Sequence, residues 1–308
     1  MSTGTDVSVG GDGDAGTPGN DGTDGRAGGV SELDRLWLFA REDAHDAVRE
    51  RQAHVLAVVF GLLGLGMGYL VGQSSRGRGE AVEVTTGLVP ALVMLVPLLA
   101  LAFVATGLVE KRRTGALTVL LGLPFSRRVV VLGTLLGRCL VVVSATLFAL
   151  VVGALLGVAT GATVDPEQFL VAASALALLA CAFVAIAVAI STVSTTTTKA
   201  TVGAFGAYLL FVFDVWAQLP SVVRYVGNGL SSPTGEPTWV AVFAAANPMT
   251  AFANLLAGVS PELADAALVS PATDPAVYEG PVAGAVILLA WIVVPVWLAY
   301  WRFRATDV

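Results

Sequence analysis

Six apolar runs recur along the chain, and each is roughly as long as the ~20 helical residues that cross a hydrocarbon core. No charged stretch interrupts any of them. The sequence therefore predicts an all-α integral membrane protein with six transmembrane helices, at residues 53–72, 87–109, 137–160, 169–191, 200–219 and 281–301.

A shorter amphipathic pattern precedes the first run. Apolar residues between Leu33 and Val48 recur at helical spacing, and charged residues, Asp43 among them, occupy the opposite side. Trp37 falls within this stretch, where an indole ring suits the headgroup region of a bilayer. This predicts an N-terminal amphipathic elbow helix that lies at the membrane surface and leads into the first span. A soluble cap helix is the alternative.

Segment 110–128, between the second and third runs, is the most basic stretch of the chain and reads EKRRTGALTVLLGLPFSRR. Leu117, Leu120 and Leu121 fall at i, i+3 and i+4, so a helix here would carry one apolar stripe. Pro124 would end that helix. The pattern predicts a short amphipathic helix at a membrane surface between two spans.

Composition agrees with a membrane protein, because 56% of residues are hydrophobic and only 13% are charged, where soluble domains average roughly 25% charged. Residues 1–30 differ from the rest, since they are mostly Gly, Asp, Thr and Ser and hold few bulky side chains. They predict a disordered acidic tail. We therefore divide the chain into this tail and one six-span domain at residues 31–308.

The basic residues orient the chain in the membrane. With the N-terminus inside, fourteen of the 17 lysines and arginines fall on inner segments, and Arg76, Arg78 and Arg224 fall on outer ones. The positive-inside rule then places both termini in the cytoplasm and requires an even number of spans. Residues 238–258 are apolar enough for a seventh span. They are predicted instead to form short outer or re-entrant helices within an external segment at 220–280.

Motifs for catalysis or nucleotide binding are missing from the sequence. It has no G-x-x-x-x-G-K-[ST] phosphate loop, no H-E-x-x-H and no G-x-S-x-G. Asp214, in the fifth predicted span, is the acid placed to line a polar translocation path. An interfacial acid that reaches water beside Trp216 is the alternative.

With these spans and this basic segment, the chain resembles the type-2 permease family of ATP-binding-cassette (ABC) transporters. That family has a pattern of about E-x4-G-T-L-E-x-L-L-x-x-P-x-S-R after its second span, followed by a G-K pair. Arg138, one turn beyond Thr134, is interpreted as the replacement for the lysine of that pair. The resemblance looks closest to the permeases of nitrous-oxide-reductase maturation transporters. The sequence matches the pattern at Glu110, Gly115, Leu117, Leu120, Leu121, Pro124, Ser126, Arg127 and Gly133, and departs from it at Ala116, Thr118 and Thr134.

The resemblance implies the transmembrane permease subunit of an ATP-driven exporter in the plasma membrane. A second permease copy or a homologue would complete the conduit. A separate cytoplasmic P-loop ATPase would bind ATP and Mg²⁺, and no catalytic, cofactor or metal site is predicted in this chain. A membrane scaffold or assembly factor that recruits a cytoplasmic partner without transport is the alternative function.

The predicted role of segment 110–128 is to dock that ATPase as a coupling helix. Its leucines would fill a groove on the partner, as apolar anchors do when a helix binds in a groove, and its arginines would hold it at the anionic inner leaflet. The predicted coupling residues are Glu110, Arg112, Gly115, Leu117, Leu120, Leu121, Pro124, Arg127 and Arg128.

Overall fold

The computed structural model describes residues 32–49, 51–79, 82–115, 127–232, 235, 237–266 and 275–304. Helices account for nearly all of these residues, and the extended pairing found among them is an isolated bridge between Glu83 and Thr163. The all-α prediction is confirmed. The α-helices are α1 (Glu32–Arg49), α2 (Arg51–Arg78), α3 (Val84–Val104), α4 (Gly107–Arg113), α5 (Arg127–Ala159), α6 (Pro166–Val193), α7 (Thr197–Val212), α8 (Val215–Gly227), α9 (Thr238–Ala245), α10 (Pro248–Val259), α11 (Pro261–Asp265) and α12 (Pro281–Arg304), with a 3-10 turn at Val277–Glu279.

Five stretches of helix are long and apolar enough to cross a membrane. They correspond to five of the six predicted runs. The third begins nine residues earlier than predicted, because α5 already starts at Arg127, at the end of segment 110–128. Two further pairs of helices, each sharply bent, give up to seven crossings if each pair is one span. The five stretches are Ala53–Gly77, Val84–Lys111, Arg128–Ala159, Pro166–Val193 and Pro281–Arg302.

The fifth predicted run, residues 200–219, is not one continuous helix. It divides into α7 and α8, whose axes differ by 82°. Asp214 lies at the break with a φ of 55°, which is the left-handed conformation that a right-handed helix cannot contain. Hydropathy is an average over side chains and does not reveal one positive φ angle. The sequence therefore predicted one continuous helix.

The apolar stretch at residues 238–258 forms two short helices, α9 and α10, bent by 86°. Asn247 caps the second helix, because its side-chain oxygen accepts a hydrogen bond from the Met249 amide at 2.9 Å and Pro248 occupies the first helical position. Short helices were predicted here, and their depth in the membrane stays a prediction.

Glycines bring α2 and α5 into direct backbone contact. A Cβ at Gly64 would lie 2.3 Å from the carbonyl oxygen of Ala149, and one at Gly68 would lie 2.1 Å from that of Gly153. Small residues permit such an approach in a membrane, where close packing rather than the hydrophobic effect joins helices. The helix that follows segment 110–128 is therefore held firmly against the first span.

The spans differ in how much of their surface the chain itself covers. In the most apolar window of each helix, 61% of α3 and 56% of α6 is buried, against 22% of α12. The centre of the domain thus lies around α3 and α6. The last helix presents most of its surface to lipid or to another chain.

Candidate functional site

Segment 110–128 is described by the structure at its two ends. Its first residues form the end of α4, where the carboxylate of Glu110 accepts a hydrogen bond from Nη2 of Arg113 at 2.9 Å. That hydrogen bond raises the pKa of the Arg113 guanidinium from its ordinary value. Gly115 follows with a φ of 76°, a conformation that glycine adopts without steric cost. The chain therefore turns away from α4 at this glycine.

The predicted docking surface itself lies outside the described residues. Leu117, Leu120, Leu121 and Pro124 fall within residues 116–126, and nothing in the structure tests their role. The side chains of Arg112 and Arg127 are likewise not described. Arg128, in the first turn of α5, is exposed, and its Nε donates a hydrogen bond to the hydroxyl of Tyr300 at 2.9 Å.

A buried carboxylate joins the start of the segment to two other helices. The side chain of Asp43 on α1 is only 1% exposed, and its Oδ1 accepts a hydrogen bond from Nζ of Lys111 on α4. Its Oδ2 lies 3.2 Å from Nε of Arg138 on α5, whose side chain is 4% exposed. That second oxygen accepts no hydrogen bond, so the contact with Arg138 is an ion pair. One carboxylate thus links α1, α4 and α5.

Glycines on α5 allow α1 to approach closely enough for these ion pairs. A Cβ at Gly137 would lie 2.8 Å from the carbonyl oxygen of Ala40 and 3.0 Å from Oδ2 of Asp43. One turn earlier, a Cβ at Gly133 would lie 2.4 Å from the ring of Phe39. α1 is therefore packed against the N-terminal part of α5.

The position of Asp43 corrects one prediction from the sequence. The amphipathic pattern placed Asp43 on the polar side of α1, whereas the structure buries it beside Ala40 and Ala44. Lys111 and Arg138 lie beside this carboxylate and stabilise its buried charge. Helical spacing alone predicts that the same carboxylate is exposed to solvent. No local signal could reveal this, because Lys111 is 68 residues away in the chain. Trp37 is exposed, and the location of this residue and of α1 at a membrane surface stays a prediction.

A second contact ties α4 to the end of α6. The backbone amide of Leu108 donates a hydrogen bond to Oγ of Ser191 at 3.0 Å, and the contact is buried. A buried backbone amide without a partner would cost free energy, so this serine stabilises the junction where α3 gives way to α4. The start of the segment is consequently held by α1, α5 and α6 together.

Asp214 is bonded to the junction between the two short helices. Nδ2 of Asn247, a fully buried side chain, donates to Oδ1 of Asp214 at 2.9 Å and to the carbonyl oxygen of Phe211 at 3.1 Å. Nearby, Nε1 of Trp216 donates to the carbonyl oxygen of Phe243 at 2.6 Å. These bonds give Asp214 a role in holding the broken helix. Its part in a translocation path stays a prediction.

Metal-ligand residue types come together on the exposed face of α1. Among the described residues, Glu42, His45 and Asp46 place their ligand atoms within 4.8 Å of one another, and all three side chains are exposed. Such acidic groups are common on solvated helix faces, and no second feature here indicates an ion.

Comparisons with known proteins decide the family. The model of a family described as "ABC-2 family transporter protein" matches residues 37–308. This chain belongs to that family. The type-2 resemblance inferred from segment 110–128 is therefore confirmed, and the chain is a transmembrane ABC transporter permease.

Two relatives carry the same name, "Probable ABC transporter permease protein NosY". The protein from Pseudomonas aeruginosa is 30% identical over 190 residues, which cover 58% of this chain and 68% of the relative. The protein from Stutzerimonas stutzeri is 27% identical over 288 residues, which cover 88% of this chain and 99% of the relative. The second likeness extends over nearly the whole length of that protein.

Proposed function

We propose that this permease is the membrane subunit of an ABC exporter and that segment 110–128 docks its separate cytoplasmic ATPase. One observation supports this role above the others: the buried carboxylate of Asp43 joins the start of the segment to α1 and α5. A partner that pushes on the segment would therefore move several helices together. A loop without such contacts would absorb the same displacement.

Transport would follow from rigid-body movement of these helices. α4 continues almost directly from α3, and α5 begins where the segment ends, so the two spans would respond as the ATPase closes on ATP and Mg²⁺. Packed helices with two discrete arrangements convert such a movement into inward and outward openings. The direction of net movement proposed here is export, and the termini are proposed to lie in the cytoplasm with residues 1–30 as a tail.

A second permease copy or a homologue would complete the conduit. The exposed surface of α2, whose most apolar window is only 39% buried, leaves room for another subunit in the membrane. The likeness to two proteins named NosY supports placing this chain with them in the family.

The docking role can be tested at Leu120. We expect L120D to abolish co-purification of the ATPase from detergent-solubilised membranes, because one apolar anchor at the centre of an interface contributes at least about 2 kcal/mol. T114D is the matched control, since it adds the same charge at an exposed position of the same segment and should leave association unchanged. Both variants should insert into the membrane at wild-type levels.

The outcomes separate the proposed function from its alternative. Full association of L120D would refute the groove-filling role of the leucines. If no P-loop ATPase accompanies the wild-type permease but another cytoplasmic protein does, the scaffold function replaces the transporter subunit.

A further inference from the structure

A groove lies between the first two turns of α5 and the last turns of α12. Its volume is about 350 Å³, within the range of roughly 300–1,000 Å³ that is usual for small-molecule sites. Aside from Arg128 and Tyr300, the residues that line it are apolar. They are Val131, Leu132, Leu135, Ile292, Val293, Val296 and Trp297.

The two polar residues lie together at one end of the groove. Nε of Arg128 donates to the hydroxyl of Tyr300 at 2.9 Å, and the guanidinium carbon lies 5.7 Å from the centre of the Tyr300 ring. A cation at this distance from an aromatic face is attracted to it. Arg128 nevertheless remains exposed, so its charge stands at the mouth of the groove in a defined orientation.

The position of the groove along the helices matches one leaflet of a bilayer. From Arg128 to Leu135, α5 rises about 10 Å, which is less than half of a hydrocarbon core of ~30 Å. Trp297 and Trp301 are 59% and 68% exposed beside its mouth, and tryptophans of this kind mark the level of the headgroups. The polar end therefore lies at the interface and the apolar walls extend into the acyl region.

We propose that this groove binds an anionic phospholipid, with the headgroup phosphate at Arg128 and an acyl chain between α5 and α12. Basic pockets between transmembrane helices recognise anionic headgroups by charge complementarity. The walls of this groove are apolar, so they offer no hydrogen-bonding groups to a polar small molecule. A helix from a second copy fits less well, because it would remove the exposed guanidinium of Arg128 from water. The site requires the membrane location of the chain and does not depend on ATPase docking.

Native mass spectrometry can test this site on the purified full-length protein. We expect phosphatidylglycerol to be retained about fivefold more than phosphatidylcholine with the same acyl chains, which is the effect of one basic side chain near an anionic headgroup. R128Q should lose that preference, while R128K should keep it. R224Q is the matched control, because Arg224 is a half-buried arginine on the predicted opposite side of the membrane, and the variant should retain the fivefold preference.

A second variant tests the apolar part of the groove without altering any charge. V293W adds an indole to the wall, and we expect it to reduce retention of phosphatidylglycerol to the level seen with R128Q. Retention of the fivefold preference by R128Q, or of wild-type binding by V293W, would overturn the proposal. Cross-linking of V293C to a second copy in native membranes would also overturn it, because protein would then fill the groove. The ATPase association measured with L120D is independent of all these results.

Discussion

Removing the charge of Asp43 should both destabilise the protein and weaken ATPase docking. Asp43→Asn keeps the shape of the side chain but removes the anion that lies between Lys111 and Arg138. The side chain of Lys111 is 22% exposed and can turn toward water. Arg138, at 4% exposure, cannot. The cost of the substitution therefore arises mainly at Arg138.

The size of the effect can be estimated from the contacts of Arg138. Breaking a buried ion pair by removing one partner costs about 3–5 kcal/mol. The guanidinium carbon of Arg138 also lies 5.1 Å from the ring centre of Phe103, a contact of about 1 kcal/mol that survives in the variant. We expect a loss of about 3 kcal/mol, at the lower end of that range.

Unfolding by SDS in mixed micelles, followed by tryptophan fluorescence, would measure this loss. D46N is the matched control, since Asp46 is an exposed acid on the same helix and its substitution should change stability by less than about 0.5 kcal/mol. A double variant, Asp43→Leu with Arg138→Met, should recover most of the stability, because well-packed apolar residues can replace a buried ion pair. Equal unfolding of D43N and D46N would refute the reasoning. Co-purification of the ATPase with D43N at the wild-type level would refute the predicted effect on docking.

Two further predictions concern topology and helix packing. In a background without the native cysteines, a membrane-impermeant thiol reagent added to intact cells should label S231C and not T114C. Both positions are exposed, and they are predicted to lie on opposite sides of the membrane. Labelling of T114C and not S231C would show that the orientation is inverted. Gly68→Ala should lower stability by about 1–3 kcal/mol through overpacking, because its Cβ would meet the α5 backbone. Gly66→Ala has no neighbour within 4 Å of the new Cβ and should be neutral or slightly stabilising in the same SDS assay. Equal stability of the two variants would contradict the close packing of α2 on α5.

Local patterns in the sequence determined where most of the helices lie. In a membrane the backbone must satisfy its own hydrogen bonds, so an apolar run of sufficient length has to be helical whatever it later contacts. Five of the six predicted spans rest on this rule alone. The family, too, could be inferred from one short segment, because its glycine, leucines and proline stand at fixed spacings whatever the rest of the fold does.

Tertiary structure alone decided how the polar residues are used. The burial of Asp43 depends on a lysine 68 residues away. The polar mouth of the groove between α5 and α12 depends on Arg128 and Tyr300, which are 172 residues apart. The break at Asp214 likewise involves a contact with Asn247 on a different helix. A charged or polar side chain in an apolar setting is stable only beside its partner, and the partner's distance in space is not encoded in the local periodicity that reveals a helix.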